Sequence, residues 1–351
     1  GLAVTFRAAG TSLSGQACTD SVLMVLGDKG WHDHAIADDY SEITLQAGLR
    51  GAQANRFLAP YGKKIGPDPA SIDSAKIGGI VANNACGMAS GIELNSQYTL
   101  NNIRLIFADG TVLDTRDEHS RQAFLGQKKD WVERLQVLSA RLKGDPALVE
   151  KIRRKYKIKN TTGYSVNALI EQDDPIEMIQ HLIVGSEGTL AFISDVTFLT
   201  AEEPSTKATS LMLFPDISTM CEAVLILQKC PVQAAELMDR LALRTVENKP
   251  GVPDHIKTLG PDVTALLVET AANDEAGLEA NIREIGEKLK PIAMAHEYHF
   301  TTDPAEAAAL WKVRKGIFPS ACSERPVGTA VIIEDIAVPV ESLGDCLLEL
   351  Q

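Results

Sequence analysis

The chain has 351 residues, of which 45% are hydrophobic and 23% charged, enough for roughly two domains with separate hydrophobic cores. Its net charge of −13 argues against nucleic acid as a partner, because an acidic surface repels a phosphate backbone. No uninterrupted apolar run reaches the ~18 residues that a membrane-spanning helix needs. We therefore expect a soluble, cytoplasmic protein that binds any small anionic ligand through local cations.

The chain opens with a β-like segment, residues 3–6, and a turn rich in glycine and hydroxyl groups, residues 7–16. Such a turn can point backbone N–H groups at an anion. Gly10 and Gly15 have P-loop spacing, but Gln16 stands where a nucleotide hydrolase needs lysine. The turn predicts phosphate binding without triphosphate chemistry, and an ordinary Gly/Ser turn is the alternative.

Short β-rich runs, helices and small-residue turns alternate up to about residue 200, which is an α+β pattern. Strands are predicted at 21–26, 42–47, 103–107 and 190–199, and helices at 49–61 and 128–143. Four further small-residue turns follow the first, at 67–72, 77–87, 159–164 and 185–190.

A linker is predicted at 202–206, where Pro204 follows a charge pair. Beyond it a β–α unit occurs twice, and two more strands are predicted. The units comprise strand 209–214 with helix 217–229 and strand 265–269 with helix 275–289, and the extra strands are 234–237 and 294–300. This pattern predicts a sheet covered by helices on one face.

The ordered set of five turns resembles the FAD-binding domain of the vanillyl-alcohol oxidase (PCMH) type, in its D-lactate dehydrogenase and glycolate oxidase branch. Segments 311–319 and 331–341 look most like the long bacterial enzymes that also carry an iron–sulfur region. The resemblance implies an α+β fold, with a PCMH-type FAD-binding domain at 1–203 and a ferredoxin-like (β-α repeat) cap domain at 204–351. Both ends look cut, so we expect a fragment that lacks the start of the first domain and the end of the second.

The resemblance also implies which residues hold FAD, through backbone N–H groups at turns where small residues permit close approach. The implied cofactor-binding residues are Arg7, Ala8, Ala9, Gly10, Thr11, Ser12, Gly15, Gln16, Pro67, Asp68, Ser71, Ile72, Gly78, Gly79, Asn83, Ala85, Gly87, Asn160, Thr162, Gly163, Tyr164, Gly185, Ser186, Glu187, Gly188, Leu190 and Ile193. Ala8, Ala9 and Cys86 replace glycines of many relatives, which requires negative φ at these positions. Thr11 stands where relatives with tethered flavin have histidine, so we expect noncovalent FAD.

The implied reaction is oxidation of a D-2-hydroxy acid, with D-lactate as the first candidate substrate. Arg314 matches the family's substrate arginine and would pair with the substrate carboxylate, whereas a helix-surface cation is the alternative. The family's base and divalent metal belong to a histidine-containing element that follows the segment matching 331–341. The six cysteines form no Cys-x-x-Cys pair, so we expect metal and iron–sulfur ligands only from segments absent here.

Several residues have competing interpretations. Glu187 is interpreted as a turn anchor rather than a catalytic group, His181 as a packed strand-end residue, and His296 and His299 as structural residues of a strand. The basic segment 151–159 is interpreted as a solvated helix face, with attachment to an anionic inner-membrane surface as the alternative.

Electrons are expected to pass to a respiratory-chain acceptor such as a quinone, cytochrome or iron–sulfur centre rather than to nicotinamide. The nicotinamide alternative is weakened because no Gly-x-Gly-x-x-Gly motif follows a strand. The rival functions are a D-2-hydroxyglutarate or glycolate dehydrogenase, a flavin-binding module inactive as this fragment, and a nucleotide hydrolase.

Overall fold

A computed structural model describes residues 2–13, 15–87, 91–248, 252, 254–324, 326–329 and 337–350. The chain divides into two compact units, Gly1–Glu203 and Pro204–Gln351. Ser14 and the segment 331–336, which the sequence singled out, lie outside the described residues.

The first unit is built around a sheet of six strands with the order β3-β4-β8-β6-β7, in which β5 also pairs with β8. A separate parallel pair, β1 and β2, precedes it. The strands are β1 Val4–Arg7, β2 Val22–Val25, β3 His34–Ile36, β4 Glu42–Gln46, β5 Lys63–Ile65, β6 Leu100–Ile106, β7 Val112–Asp114 and β8 Phe192–Glu202. Strand β8 is central because β4, β5 and β6 all pair with it antiparallel.

Helices pack on this sheet and bury a core that includes Ile43, Ile103 and Phe198, each fully buried. The helices are α1 Gly51–Leu58, α2 Ile77–Asn83, α3 Ser96–Thr99, α4 Glu118–Gln127, α5 Lys129–Lys143, α6 Pro146–Lys155, α7 Ala168–Glu171 and α8 Pro175–Ile183, with a 3₁₀ turn at Ala59–Tyr61. Both α6 and α8 begin with an aspartate N-cap followed by proline, the residue best suited to a first helical position.

The second unit is a three-stranded antiparallel sheet with the order β10-β11-β9. Its elements are β9 Thr206–Phe214, α9 Ile217–Leu227, β10 Ala234–Met238, α10 Arg240–Arg244, β11 Thr264–Ala272, α11 Glu275–Leu289, α12 Pro304–Glu324 and α13 Leu343–Leu350, with 3₁₀ turns at Asp254–Thr258 and Val340–Ser342. The two β–α units predicted from sequence are present as β9–α9 and β11–α11.

Helices of this unit cover both faces of the sheet, so the prediction of helices on one face is wrong. Leu266 and Val268 of β11 belong to the apolar cluster that contains α9 and α11 residues, and Ala265 and Leu267 to the cluster that contains Leu310 of α12. Because β11 is apolar at successive positions, both of its faces must be covered.

The strand predicted at 294–300 is also wrong, since this segment is irregular apart from a bridge between Thr209 and Thr301 just beyond it. Its residues instead pack against the sheet edge, where the Ala295 N–H donates to the Leu213 carbonyl at 2.8 Å. No helix in the described part of the chain is long and apolar enough to cross a bilayer.

Candidate functional site

The first predicted turn follows β1 and lies against the start of α2. A Cβ placed on Gly79 would lie 3.4 Å from the Cβ of Ala8. The parallel pair β1–β2 is linked to α2 by the buried Lys76, whose Nζ donates to the Leu26 carbonyl at 2.6 Å. Lys76 is the N-cap residue of α2, so one lysine joins the two segments that carry the first and third turns.

The second turn is in contact with the third. A Cβ on Gly87 would overlap the carbonyl oxygen of Asp68, so only glycine permits this approach of the two backbones. At the end of the second turn, Ile72 packs under α1, where a Cβ on Gly51 would lie 2.7 Å from Ile72 Cγ1. The second turn therefore connects α1 to the loop after α2.

The fifth turn closes over the C-terminal end of α2. The Gly185 N–H donates to the Val81 carbonyl at 3.1 Å, and the Glu187 N–H donates to the Ala82 carbonyl at 2.8 Å. The Glu187 carboxylate accepts from Asn83 Nδ2 at 2.7 Å. Glu187 thus anchors the turn to the helix, through a side-chain amide as well as the main chain.

The fourth turn meets the fifth through hydroxyl groups. Tyr164 Oη lies 2.9 Å from Thr189 Oγ1, which donates to the Ser186 carbonyl at 2.6 Å. Ser165 Oγ donates to the Val184 carbonyl at 2.7 Å. The phenol of Tyr156, after α6, donates to the Tyr164 carbonyl at 3.1 Å and so holds the fourth turn to the helix before it.

These contacts bring all five predicted segments together in the first unit. The third, predicted as a turn at 77–87, is helix α2 over Ile77–Asn83 and a turn only after it. The predicted residues that take part directly are Ala8, Asp68, Gly79, Asn83, Gly87, Gly163, Tyr164, Gly185, Ser186 and Glu187. Thr11, Ser12 and Gly15 are exposed, and within the described part of the chain no hydrogen bond joins them to the other turns. Leu190 packs on the core of the first unit. Ile193 is buried in that core and contributes to its packing.

The backbone conformations agree with the negative φ that the sequence requires at Ala8, Ala9 and Cys86. Among the described residues the only non-glycine positions with positive φ are Trp31, Tyr40, Asn84 and Glu187, so Ala8, Ala9 and Cys86 all avoid it. Asn84 (φ 50°) and Glu187 (φ 53°) lie in the third and fifth turns, where strained backbone often marks a functional site.

Sequence reasoning missed Lys76, Asn84, Ser165 and Thr189. Asn84 caps α2 in the left-handed conformation, and its Oδ1 accepts from the Gln97 N–H at 3.1 Å. An asparagine after a helical run is a known C-cap signal, so Asn84 could have been found. The other three act through distant partners, which no local pattern reveals.

The residues at this site fit a dinucleotide such as FAD. Ser186 is 2% exposed, and its hydroxyl has no hydrogen-bond partner among the described residues. Gln16 Oε1 is likewise buried and without a partner within the described part of the chain. Because a buried polar atom without a partner is costly, these two atoms indicate a polar ligand or ordered water at the turns.

In the second unit, Arg314 of α12 is paired with Glu236 of β10. Its Nη2 and Nε donate to Glu236 Oε2 at 2.8 and 3.0 Å. The Arg314 side chain is 32% exposed, so its guanidinium is accessible although it is paired. One turn earlier on the helix, Trp311 Nε1 donates to Glu269 Oε2 at 2.8 Å.

The histidines differ from their sequence interpretation. His181 lies in α8 and is not a strand-end residue, because 175–183 begins with an Asp-Pro cap and continues as an amphipathic helix. Burial lowers the pKa of His181. His296 and His299 are exposed in an irregular segment, with His299 Nε2 3.2 Å from Glu306 Oε1. The described residues contain no cluster of three or more His, Cys, Asp or Glu side chains suited to a metal ion.

The basic segment 151–159 begins as the last turns of α6, and its six cations are exposed. Lysine and arginine are favourable there because the C-terminal end of a helix carries partial negative charge. A solvated helix face accounts for the arrangement.

Comparison with known proteins gives two family matches. Residues 1–116 match the FAD binding domain, and residues 203–351 match the C-terminal domain of FAD linked oxidases. Among solved structures, alkyldihydroxyacetonephosphate synthase superposes with a TM-score of 0.60 at 14% identity, covering 91% of this chain and 54% of that one, which shows a shared fold.

The chain is also similar to curated dehydrogenases. D-2-hydroxyglutarate dehydrogenase of Pantoea ananatis is 23% identical over 100% of this chain and 35% of its own length. The probable mitochondrial D-2-hydroxyglutarate dehydrogenase of Oryza sativa subsp. indica is 25% identical over 100% of this chain and 54% of its length. The mitochondrial D-lactate dehydrogenase [cytochrome] of Kluyveromyces lactis is 22% identical over 87% of this chain and 44% of its length. The chain thus spans only about a third to a half of these relatives.

Proposed function

Because this chain belongs to the FAD-linked oxidases, with an FAD binding domain followed by the C-terminal domain of that family, we propose that it takes part in the FAD-dependent oxidation of a D-2-hydroxy acid. The observation that carries the proposal is the meeting of the five turns around α2, with the buried Ser186 hydroxyl among them. The names of the relatives, all dehydrogenases of D-2-hydroxy acids, support the substrate class.

The turns of the first unit would hold the cofactor. Backbone N–H groups at small-residue turns can approach a pyrophosphate closely, and the Ser186 hydroxyl can donate to a polar atom of the ring or ribityl chain. Hydride acceptance from the α-carbon of the substrate is the chemistry that FAD supplies when it is bound. The paired carboxylate of Glu187 keeps the fifth turn against α2.

Arg314 is the proposed group for the substrate carboxylate. A guanidinium has five N–H donors, and Glu236 uses those on Nε and Nη2. The two Nη1 donors and the second Nη2 donor form the end of the group. They have no partner among the described residues, so a carboxylate can pair with this Nη1–Nη2 edge. Arg314 thereby orients the acid and balances its charge; the base that removes the hydroxyl proton is expected from a segment outside this chain.

D-lactate and D-2-hydroxyglutarate are the two candidate substrates. D-lactate was the first expectation from the sequence, and a D-lactate dehydrogenase is among the relatives. D-2-hydroxyglutarate is favoured by the relatives that align along the whole chain. Both acids present the same carboxylate and α-hydroxyl to the site, and they differ in a second carboxylate.

The electron acceptor is proposed to be a respiratory-chain quinone, cytochrome or iron–sulfur centre, and one relative's name supports a cytochrome. A cytoplasmic location, with attachment to the inner membrane through segment 151–159 as the alternative, stays a prediction. The divalent metal and iron–sulfur cluster also stay predictions for segments outside the chain.

The proposed function is tested by adding D-2-hydroxyglutarate, D-lactate and glycolate, each without oxygen, to the flavin-loaded protein that carries this chain. Loss of the oxidised flavin bands with a D-acid, and not with the matching L-acid, supports the proposal. No loss with any 2-hydroxy acid refutes it. The ratio of kcat/KM for the acids then identifies the preferred substrate.

A further inference from the structure

The pairing of Arg314 with Glu236 leaves the arginine side chain with a defined orientation. Both donors, Nε at 3.0 Å and Nη2 at 2.8 Å, point to one oxygen of Glu236. The Glu236 side chain is 17% exposed, so solvent screens this pair less than a pair on the open surface. The contact fixes the plane of the guanidinium along its Nε–Nη2 edge.

The sheet beneath α12 presents a second glutamate on the same face. Ala234 pairs with Glu269 and Glu236 with Leu267, so the two glutamates are diagonal neighbours on β10 and β11. Glu269 Oε2 accepts from Trp311 Nε1 at 2.8 Å and from Thr209 Oγ1 at 3.2 Å. Each carboxylate therefore contacts a different residue of one helical turn of α12.

Two like charges on neighbouring strands are unfavourable unless each has a partner. Glu269 has neutral donors that fasten the helix to the sheet. Glu236, in contrast, has a charged partner whose remaining donors have no partner among the described residues and can bind a second carboxylate. The two glutamates therefore differ in role although they share a face and a helix.

We propose that Glu236 is a positioning residue that orients Arg314 for the substrate carboxylate. This inference rests on the proposed function. A free arginine side chain would lose rotamer freedom when it grips a substrate, whereas one already held by Glu236 loses less. The negative charge of Glu236 also weakens the attraction of Arg314 for anions, so Glu236 favours correct orientation over strong binding.

The test compares Glu236→Gln with the matched control Glu269→Gln in the flavin-loaded protein. Glutamine has the shape of glutamate but not its charge, so Arg314 keeps its attraction for anions and loses its fixed orientation. For Glu236→Gln we expect kcat on the preferred D-2-hydroxy acid to fall about tenfold, since misplacement of a substrate is costly in rate. Binding of glutarate, which has no hydroxyl to oxidise, should stay within about threefold of wild type or become tighter.

The control Glu269→Gln should leave kcat within about twofold, because it changes the contacts with Trp311 and Thr209 and leaves the Arg314–Glu236 pair in place. Glutarate binding is measured by the shift that it causes in the melting temperature, which does not depend on turnover. Equal kcat for Glu236→Gln and wild type, or equal losses in Glu236→Gln and Glu269→Gln, would overturn the inference.

A double-mutant cycle with Arg314→Lys separates positioning from general destabilisation. If Glu236 acts through Arg314, adding Glu236→Gln to Arg314→Lys should change kcat/KM by less than about twofold, and effects that multiply would contradict this. If Glu236→Gln does not fold, Glu236→Asp keeps the charge on a shorter stem and should lower kcat several-fold with glutarate binding unchanged; unchanged kcat would again overturn the inference. Failure of the proposed function is distinct, because then the wild-type flavin is not reduced by any D-2-hydroxy acid.

Discussion

Single residues at the turns have either a structural or a ligand-binding role, and their hydrogen bonds tell the two apart. Ser165 and Ser186 are both buried serines at the meeting of the fourth and fifth turns. Ser165 Oγ donates to the Val184 carbonyl, whereas Ser186 Oγ has no partner among the described residues. The first hydroxyl stabilises the fold, and the second is available to a ligand.

Replacing Ser186 with alanine should therefore weaken FAD binding without weakening the fold. One hydrogen bond to a ligand contributes about 1 kcal/mol, so we expect the Kd for FAD to rise roughly fivefold and the melting temperature of the apoprotein to stay the same. Ser165→Ala is the matched control, because it leaves the Val184 carbonyl unpaired and should lower the melting temperature by about 2–4 °C. Flavin fluorescence titration and thermal unfolding measure the two quantities; equal FAD affinity in Ser186→Ala and wild type would contradict this role.

His181 should make the stability of the first unit depend on pH. Burial lowers its pKa in the folded protein below the ordinary histidine value of 6.5, against the opposing effect of Glu177. Between the folded and unfolded pKa values the unfolded state binds more protons, so the free energy of unfolding falls as the pH drops below about 6.5. Above that pH the histidine is neutral in both states and no stability is lost.

Urea unfolding between pH 5 and 8 checks this prediction, with His181→Gln as the comparison. Glutamine does not titrate, so the variant should show a smaller loss of stability from pH 7 to pH 5 than the wild type. Parallel pH profiles for the two proteins would exclude His181 as the cause.

At the scale of helices and strands, aspartate N-caps set where the helices of the second unit begin. Asp216 accepts from the Thr219 N–H at 2.8 Å at the start of α9, and Asp274 accepts from the Gly277 N–H at 2.7 Å at the start of α11. The same strand–aspartate–helix arrangement thus occurs in both β–α units. The sequence predicted the two units from their strand and helix patterns of similar length.

Removing one cap measures its contribution. Asp216→Ala should lower the free energy of unfolding of the second unit by about 1 kcal/mol, since the Thr219 N–H loses its acceptor. Asp216→Asn keeps an acceptor and should lose clearly less stability than Asp216→Ala.

The Thr219 N–H also lowers the pKa of Asp216 below 3.8, so the charge contribution is present at neutral pH and is lost as the pH falls through the lowered value. Chemical denaturation at pH 7 and pH 3 compares the variants, and equal stability of alanine and asparagine variants at pH 7 would contradict the capping role.

For the whole molecule, the −13 charge means that any acidic substrate or cofactor must be held by local groups. We propose that in the first unit these groups are backbone N–H donors and the hydroxyl of Ser186, and in the second unit Arg314. We propose that FAD is held without a covalent link, because threonine occupies position 11 and is exposed.

Flavin should accordingly leave the protein when it is denatured. After precipitation with acid, we expect the yellow colour in the supernatant, because hydrogen bonds and charge contacts do not survive unfolding whereas a covalent bond does. Absorbance of the supernatant and the washed pellet at the flavin bands measures the distribution. Colour retained in the pellet would show a tether that the sequence did not predict.

The sequence by itself determined strands β1, β2, β4, β6 and β8 and helices α1 and α5 of the first unit, the two β–α units, and the family, because hydrophobic period and glycine turns are local patterns. It predicted a strand at 294–300, although that segment is irregular and packs at a sheet edge. It also placed His181 at the end of a strand, although the residue is helical. Only the tertiary structure decided that helices cover both faces of the second sheet, that Lys76 joins β2 to α2, and that Glu236 holds Arg314. These contacts join residues 50 to 78 positions apart, and a separation of that length leaves no mark on a local pattern, because the fold alone brings such residues together.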